Sequence, residues 1–544
     1  MFWNKIIKKN TENNNYFTFK HCLWILGYIL FFLLFLKNSY SYLNPDLGWH
    51  LKDGQEIWLT KEVPRFDHFD YTIMGGRWVD HEWLSNLLTY LTFNYFGYPT
   101  VNIFFSLLVI IVFALLHREI RKENSKADFF ILPFFIIGYF AIGSFMGVRM
   151  QEFTFLFLTL LLLILKKYEL ACSNKKKNYF FILFWLLPLF WLWAMLHGGF
   201  LFGGFVLGFW LIIKTVENIL RYHNFKLLNY SENNTYLSLK QIKVVLFFAL
   251  GVFLVTLLTP YNIELYKFLL NYRDNYYQSH ISEWLSQSNY PFHYWGLLYL
   301  GLFLSGLVTY FYAYKKIGTS WWRLGLTLIL LIMSFKSRRH VPLFFVASLP
   351  LTIHYYYSLF EIKKIVFNKY VSLFLKTTVI ITVIFLITCV IPKINLFKDP
   401  FTNFCQSFPC AAIQFLKDHP EYNEKRIFNN YGWGGFMIWT YPERKLFIDG
   451  RLPQYPINGT TFLREYYNFF DKDLVESKLN QYNIGLIMIE KNSNFKFNWF
   501  ERFFFEIKDN DLIPKENSII THLNNSGKWR IIYEDKISII YLKP

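Results

Sequence analysis

Long apolar runs alternate with short charged stretches over the first 390 or so residues of the chain. The runs are about 14 to 23 residues long, with cores such as 23–36, 101–116, 242–258 and 377–390. About twenty apolar residues in a helix cross the hydrocarbon layer of a bilayer. The pattern predicts eleven spans, at about 20–38, 99–116, 129–146, 153–166, 180–196, 199–217, 242–259, 292–314, 322–335, 341–359 and 371–391. Several runs carry Trp or Tyr near their ends, where such rings favour the headgroup region. Residues 83–96 are also apolar, but the run is 14 residues long and follows a charged loop, so it reads as an interfacial helix. The expected fold is a polytopic α-helical membrane protein.

Past 391 the pattern shortens. Residues 411–419, 462–470 and 473–481 read as helices, and 426–428, 436–439, 445–448, 484–490, 529–534 and 537–542 as strands. Such alternation predicts a small α/β layer, with Asp535-Lys536 turning the last hairpin. The expected division is a cytoplasmic segment 1–19, a membrane core 20–391 with a long outer loop 39–98, and an extracytoplasmic α/β domain 392–544.

Composition supports the membrane reading: 54% of residues are hydrophobic and 17% charged. The net charge of +18 would suggest nucleic acid on a soluble protein. Here most of the basic residues sit in short loops between spans, where positive charge fixes orientation, so no nucleic-acid partner is expected. With the N-terminus inside and the first helix uncleaved, every loop assigned to the cytoplasm is basic, including Arg118–Lys126, Lys175–Lys177 and Lys363–Lys369. The first outer loop is acidic instead, and an odd number of spans leaves the C-terminal domain outside.

The unusual polar residues then gather on the outer side. Asp46 and His50 lie just past the first span, four apart, and share a face if that segment is helical. The pair can orient or deprotonate an acceptor hydroxyl, or hold a divalent ion; a local hydrogen bond that pins the loop fits equally. Glu82, beside His81, can add a second acid or cap the helix that follows. Arg149 ends a span, His197 precedes Gly198-Gly199, and Glu283 lies in the loop after the seventh span. Lys336, Arg338, Arg339 and His340 break the positive-inside pattern at an outer edge, which an anionic partner, lipid headgroups or a pair with loop acids would explain. In the last domain, Tyr431, Trp433 and their neighbouring glycines form either a binding cradle or a buried turn, and Asp449-Gly-Arg451 ends an expected strand. Cys405 and Cys410 are five apart, and a disulfide is chemically allowed outside the cytoplasm. No zinc-ligand spacing and no phosphate-cradling Gly-x-x-x-x-Gly-Lys segment occurs.

Several segments together carry a likeness. They are Asp46-Leu-Gly-Trp-His-Leu-Lys-Asp-Gly54, Pro64-Arg-Phe-Asp67, Trp78-Val-Asp-His-Glu-Trp-Leu84, Trp193-Ala-Met-Leu-His-Gly198, Arg338-Arg-His340, Tyr431-Gly-Trp-Gly-Gly435 and Asp449-Gly-Arg451. The chain resembles, from about residue 20 to 544, bacterial multi-pass membrane glycosyltransferases of the GT-C class. The resemblance implies a GT-C-like core in a bacterial cytoplasmic membrane. It also implies a polyprenyl-phosphate-linked sugar donor and a lipid, glycan or protein acceptor on the outer side. By position, Asp46 would be the base or the group orienting a Mg or Mn ion, and Arg338 and Arg339 would hold the lipid phosphate. The candidate set is Asp46, His50 and Glu82 for catalysis, and Arg149, Arg338, Arg339 and His340 for the donor phosphate. His81, His197, Glu283, Tyr431, Trp433, Asp449 and Arg451 complete it, for the acceptor or substrate cavity. Asn430-Tyr-Gly432 is loosely similar to a tryptophan-rich segment of oligosaccharyltransferases, but the paired tryptophans and the aspartate are missing, so recognition of a peptide sequon is not supported. Two other functions fit the pattern: a transferase or ligase of another polyprenyl-linked group, and a transporter or non-enzymatic envelope assembly protein. A transporter would be expected to bury ionisable groups in mid-span.

Overall fold

The computed structural model describes residues 23–40, 43–123, 128–223, 237–271, 276–289, 292–312, 320–362, 404–491 and 517–544, with scattered positions from 377 to 391 and at 502. The chain forms a multi-pass helical membrane architecture with a globular, strand-containing C-terminal region. It divides into two compact units. One comprises 1–42, 99–259 and 282–397; the other comprises 43–98, 260–281 and 398–544.

The first unit is all helical. Over the whole chain, seven helices among the described residues are long and apolar enough to cross a membrane. They are Leu23–Tyr40, Trp83–Glu123, Tyr179–Leu196, Phe200–Tyr222, Leu239–Thr256, Tyr294–Tyr312 and Arg338–Ile362. That is fewer than the eleven expected, for identifiable reasons. Asp128–Ile142 and Trp321–Lys336 are helical but only 15 and 16 residues long. Gln151–Ser173 is long enough but carries Glu152, Lys166, Lys167 and Glu169. The expected span 371–391 and the segment 1–19 fall largely or wholly outside the described residues.

Rings interlock at the centre of this unit. Phe113 lies 5.2 Å from Phe31, 4.8 Å from Phe135 and 5.4 Å from Phe345 between ring centroids, in tilted, edge-on and stacked contacts. Charges are also buried here. Lys214 bonds Glu217 at 2.9 Å and lies 3.3 Å from Glu169. Lys166 pairs with Glu119 and Glu123, and Arg323 reaches Glu123 at 3.2 Å. Each cation has an acid beside it, as burial requires.

Trp83–Glu123 is continuous only in its hydrogen-bonding. At Gly97 the backbone turns to φ 77° and ψ 172°, a conformation that favours glycine, and Pro99 follows. The part before the break belongs to the second unit and the part after it to the first.

The second unit joins distant segments. Its sheet contains β1 (Arg426–Asn429), β4 (Ile484–Glu490), β5 (Arg530–Glu534) and β6 (Ser538–Leu542); β2 (Pro456–Ile457) and β3 (Thr460–Thr461) form a separate small ribbon. The order is β1-β4-β6-β5, with β1 parallel to β4 and the other pairings antiparallel. Strand β4 reads Ile-Gly-Leu-Ile-Met-Ile and is buried on both faces, as a central strand of continuous apolar character should be. Asp535 closes the β5–β6 hairpin by accepting from the amides of Ile537 and Ser538. Cys405 and Cys410 are disulfide-bonded.

Two expected strands are corrected. Residues 436–439 lie within the helix Gly434–Thr440, which packs on the helix Leu47–Thr60. Four apolar residues in a row fit a largely buried short helix as well as a strand. Residues 445–448 form no strand of the sheet. Leu446 instead bridges the first loop: its amide donates to Phe69 O at 3.0 Å, and its carbonyl accepts from Tyr71 N at 2.9 Å.

Candidate functional site

The candidate residues fall into two groups, one in each unit. Asp46, His50, His81, Glu82, Tyr431, Trp433, Asp449 and Arg451 belong to the second unit, and Arg149, His197, Glu283, Arg338, Arg339 and His340 to the first.

Asp46 stands at the start of the helix Leu47–Thr60, with no capping bond from its side chain. Trp49, one turn on, donates its indole N–H to Asp46 Oδ1 at 3.1 Å. The carboxylate lies against the Asp449-Gly450-Arg451 turn, so closely that a Cβ on Gly450 would stand 2.3 Å from Asp46 Oδ1. The glycines of the 431–435 segment make the same approach possible from the other side. A Cβ on Gly434 would meet Ile448 O at 2.5 Å, and one on Gly435 would meet Pro45 O at 2.4 Å. Three motifs far apart in sequence therefore meet at Asp46. Asn430 shapes the turn by accepting from Gly432 N at 2.8 Å. Trp433 is buried, while Tyr431 is partly exposed and takes its place beside Tyr466.

His50 belongs to a buried relay. Asn86 donates its amide hydrogens to both oxygens of Asp80, at 3.1 and 2.9 Å. The Asn86 oxygen is thereby turned towards His50, which donates from Nδ1 at 2.6 Å. Burial pushes the imidazole down to about 3, against the pull of Asn86, so the ring is neutral. Burial also raises Asp80 to about 7, although Glu82 N and Asn86 donate to it. Asp80 accepts from Glu82 N just ahead of the helix that begins at Trp83. Glu82 lies 4.0 Å from His50 Nδ1 and 3.7 Å from His81 Nε2.

Arg451 is buried and holds two acids. It donates to both oxygens of Asp449 and to Asp67, and its guanidinium lies 4.6 Å from the Phe69 ring and 4.5 Å from that of Trp78. Asp67, Asp70 and Asp449 place carboxylate oxygens within 4.8 Å of one another, an arrangement able to coordinate a divalent cation. Among the described residues no other such group of three occurs, and it does not include Asp46. Burial raises Asp67 against the pull of Arg451, and burial with the charges of Asp449 and Asp67 raises Asp70 well above the carboxylate range. Asp67 and Asp70 are not among the residues expected at the site from sequence. Their signal was faint: two acids three apart in an acidic loop, with Asp449 about 380 residues on.

In the first unit, Glu283 organises the cations. Arg149 bonds it directly, and Arg339 approaches to 4.0 Å while lying over the Trp284 ring at 4.5 Å. Burial pushes the Glu283 carboxyl up, and the two arginines outweigh it and hold it below its usual range. Arg338 is buried and turned elsewhere, donating to the carbonyls of Ser286 and Asn289. His340 is partly buried, with Trp284 edge-on at 6.3 Å. His197 ends the helix Leu186–Leu196 and receives Gly199 N at 2.9 Å on Nδ1, which also lies 2.8 Å from the Thr154 hydroxyl. Thr154 in turn accepts from Trp193. This network holds His197 against Thr154 and Gly199.

The sequence matches no protein-family model and no curated protein. Solved structures similar to the chain are of archaeal oligosaccharyltransferases from Archaeoglobus fulgidus. That of AglB with an inhibitory peptide and a dolichol-phosphate has 12% identity and a TM-score of 0.48, over 85% of this chain and 69% of that one. An apo form has 11% identity and a TM-score of 0.47, over 85% and 69%. A complex with zinc and sulfate has 11% identity and a TM-score of 0.45, over 85% and 68%.

Proposed function

We propose that the chain is a membrane glycosyltransferase that moves a sugar from a polyprenyl-phosphate donor to a lipid, glycan or protein acceptor at the outer face of a bacterial cytoplasmic membrane. The observation that carries this reading is the setting of Asp46. It is a partly exposed carboxylate at the head of a helix, oriented by Trp49 and backed by the Asp449-Gly-Arg451 turn. Such a group accepts a proton from an acceptor hydroxyl as the sugar–phosphate bond breaks. Neutral His50, held by Asn86, is a positioning residue one turn along the same helix. A Mg or Mn ion, if the reaction uses one, has Asp46 as its candidate ligand.

The leaving phosphate needs cations. Arg149 and Arg339 are the candidates, because Glu283 holds both and a phosphate oxygen can replace or join that carboxylate. Arg338 shapes the 286–289 turn through its carbonyl bonds and orients its neighbour rather than meeting phosphate itself. The transporter reading gains no support from the buried charges of the first unit, since the Lys166 and Lys214 groups are mutually paired.

The test is the purified protein in vesicles with polyprenyl-phosphate sugars, following release of the polyprenyl phosphate and formation of a glycosylated product. Turnover with one sugar class supports the reading. Movement of intact donor across the vesicle wall without bond cleavage contradicts it.

A further inference from the structure

The second unit buries more acid than its visible cations balance. Asp53, Asp67, Asp70 and Asp449 are each at most 1% exposed, and Arg451 is the buried guanidinium among them. Arg451 satisfies Asp67 and Asp449. It leaves Asp70 Oδ1 and both oxygens of Asp53 with no hydrogen-bond partner. Asp53 is the independent observation here: it comes from another element, the helix Leu47–Thr60, is 0% exposed, and the charges acting on it are Arg451 first, then Asp80, Glu56 and Asp449. Were all four carboxylates ionised, one guanidinium would leave an excess of three negative charges without solvent, which is costly unless a cation or protons compensate.

We propose that Asp67, Asp70 and Asp449 bind one divalent, oxygen-seeking cation of the calcium class, with Asp53 as the adjoining fourth carboxylate. The donors are all carboxylate oxygens, the set that hard cations prefer over zinc or copper. The ion removes two of the three excess charges and gives the orphan Asp70 oxygen a partner. Its role is structural. It ties the first outer loop, through Asp67 and Asp70, to the turn at Asp449, a link that Arg451 already makes across 384 residues of sequence. The proposal does not depend on the transfer reaction, and Asp46 is not among the ligands.

The test uses the full-length protein, stripped with chelator in detergent and titrated with Tb3+ under tryptophan excitation, then with Ca2+ as competitor. One saturable site is expected, displaced by Ca2+, with a Ca2+-dependent rise in Tm. Asp70→Asn should weaken binding at least tenfold, while Asp473→Asn, at an exposed acid of the same unit, binds as wild type. If Asp70→Asn fails to fold, Asp53→Asn serves with the same expected loss. Absence of saturable binding, or unchanged affinity in the variant that folds, overturns the proposal. A Tm that ignores Ca2+ and rises in Asp70→Asn overturns it too, because protons rather than a cation then neutralise the cluster.

Discussion

Gly450 has no room for a side chain, because Asp46 Oδ1 occupies the place where a Cβ would stand. Gly450→Ala should therefore displace Asp46 or the turn and lower transfer about as much as loss of Asp46, with the protein still inserted; wild-type turnover in that variant would separate the turn from the chemistry. Arg451 gives a stability test. Removing it strands two buried carboxylates, and breaking a buried pair costs about 3–5 kcal/mol, so Arg451→Ala should lower the denaturation midpoint of the second unit strongly. At the phosphate group, Arg339→Ala should weaken donor binding roughly ten- to a hundredfold, as expected for loss of a charged hydrogen bond, when donor affinity is measured directly. His50 makes acid stability legible. Its folded value of about 3 lies below the ordinary 6.5. Its neutral form therefore contributes fully above pH 6.5, and that contribution is lost as pH falls towards 3. Denaturation across that window should show a shallower acid loss in His50→Gln. Asp80 has the opposite sign: raised to about 7, it contributes fully below about 3.8 and loses its contribution as pH rises through 7.

At the scale of elements, hydrophobic period decided what could be read. The amphipathic helix Cys410–Asp418, the buried strand β4 and the β5–β6 hairpin follow from local pattern and turn chemistry. Residues 436–439 did not, because the helix there is fixed by what it packs against. Gly435 meets the backbone of Pro45, and nothing within 430–440 announces that partner. Gly435→Ala should cost about 1–3 kcal/mol through overpacking, read as a lower Tm with secondary structure retained. The candidate site was legible in part for the same reason. Asp46, His50, Asp449 and Arg451 stood out by position at the ends of elements. Asp53, Asp67 and Asp70 matter through burial and long-range pairing, which period and spacing do not encode. Arg338 and Arg339 are adjacent in sequence and alike in charge, yet one is turned to carbonyls and the other to a carboxylate.

Over the whole molecule, the division into units cuts across the order of the chain. Residues 43–98, the 260–281 segment and the C-terminal region share one compact unit, tied by Arg77–Glu264, by Tyr261 with Pro64 and Asp80, and by the Arg451 cluster. The measurement that tests this account most directly is turnover of polyprenyl-phosphate sugar by vesicle-reconstituted wild type and Asp46→Asn, compared at equal folded protein. Measurable transfer is expected of the wild type, and a fall of about a hundredfold or more in Asp46→Asn, with donor binding retained. Equal turnover by the two proteins would contradict it.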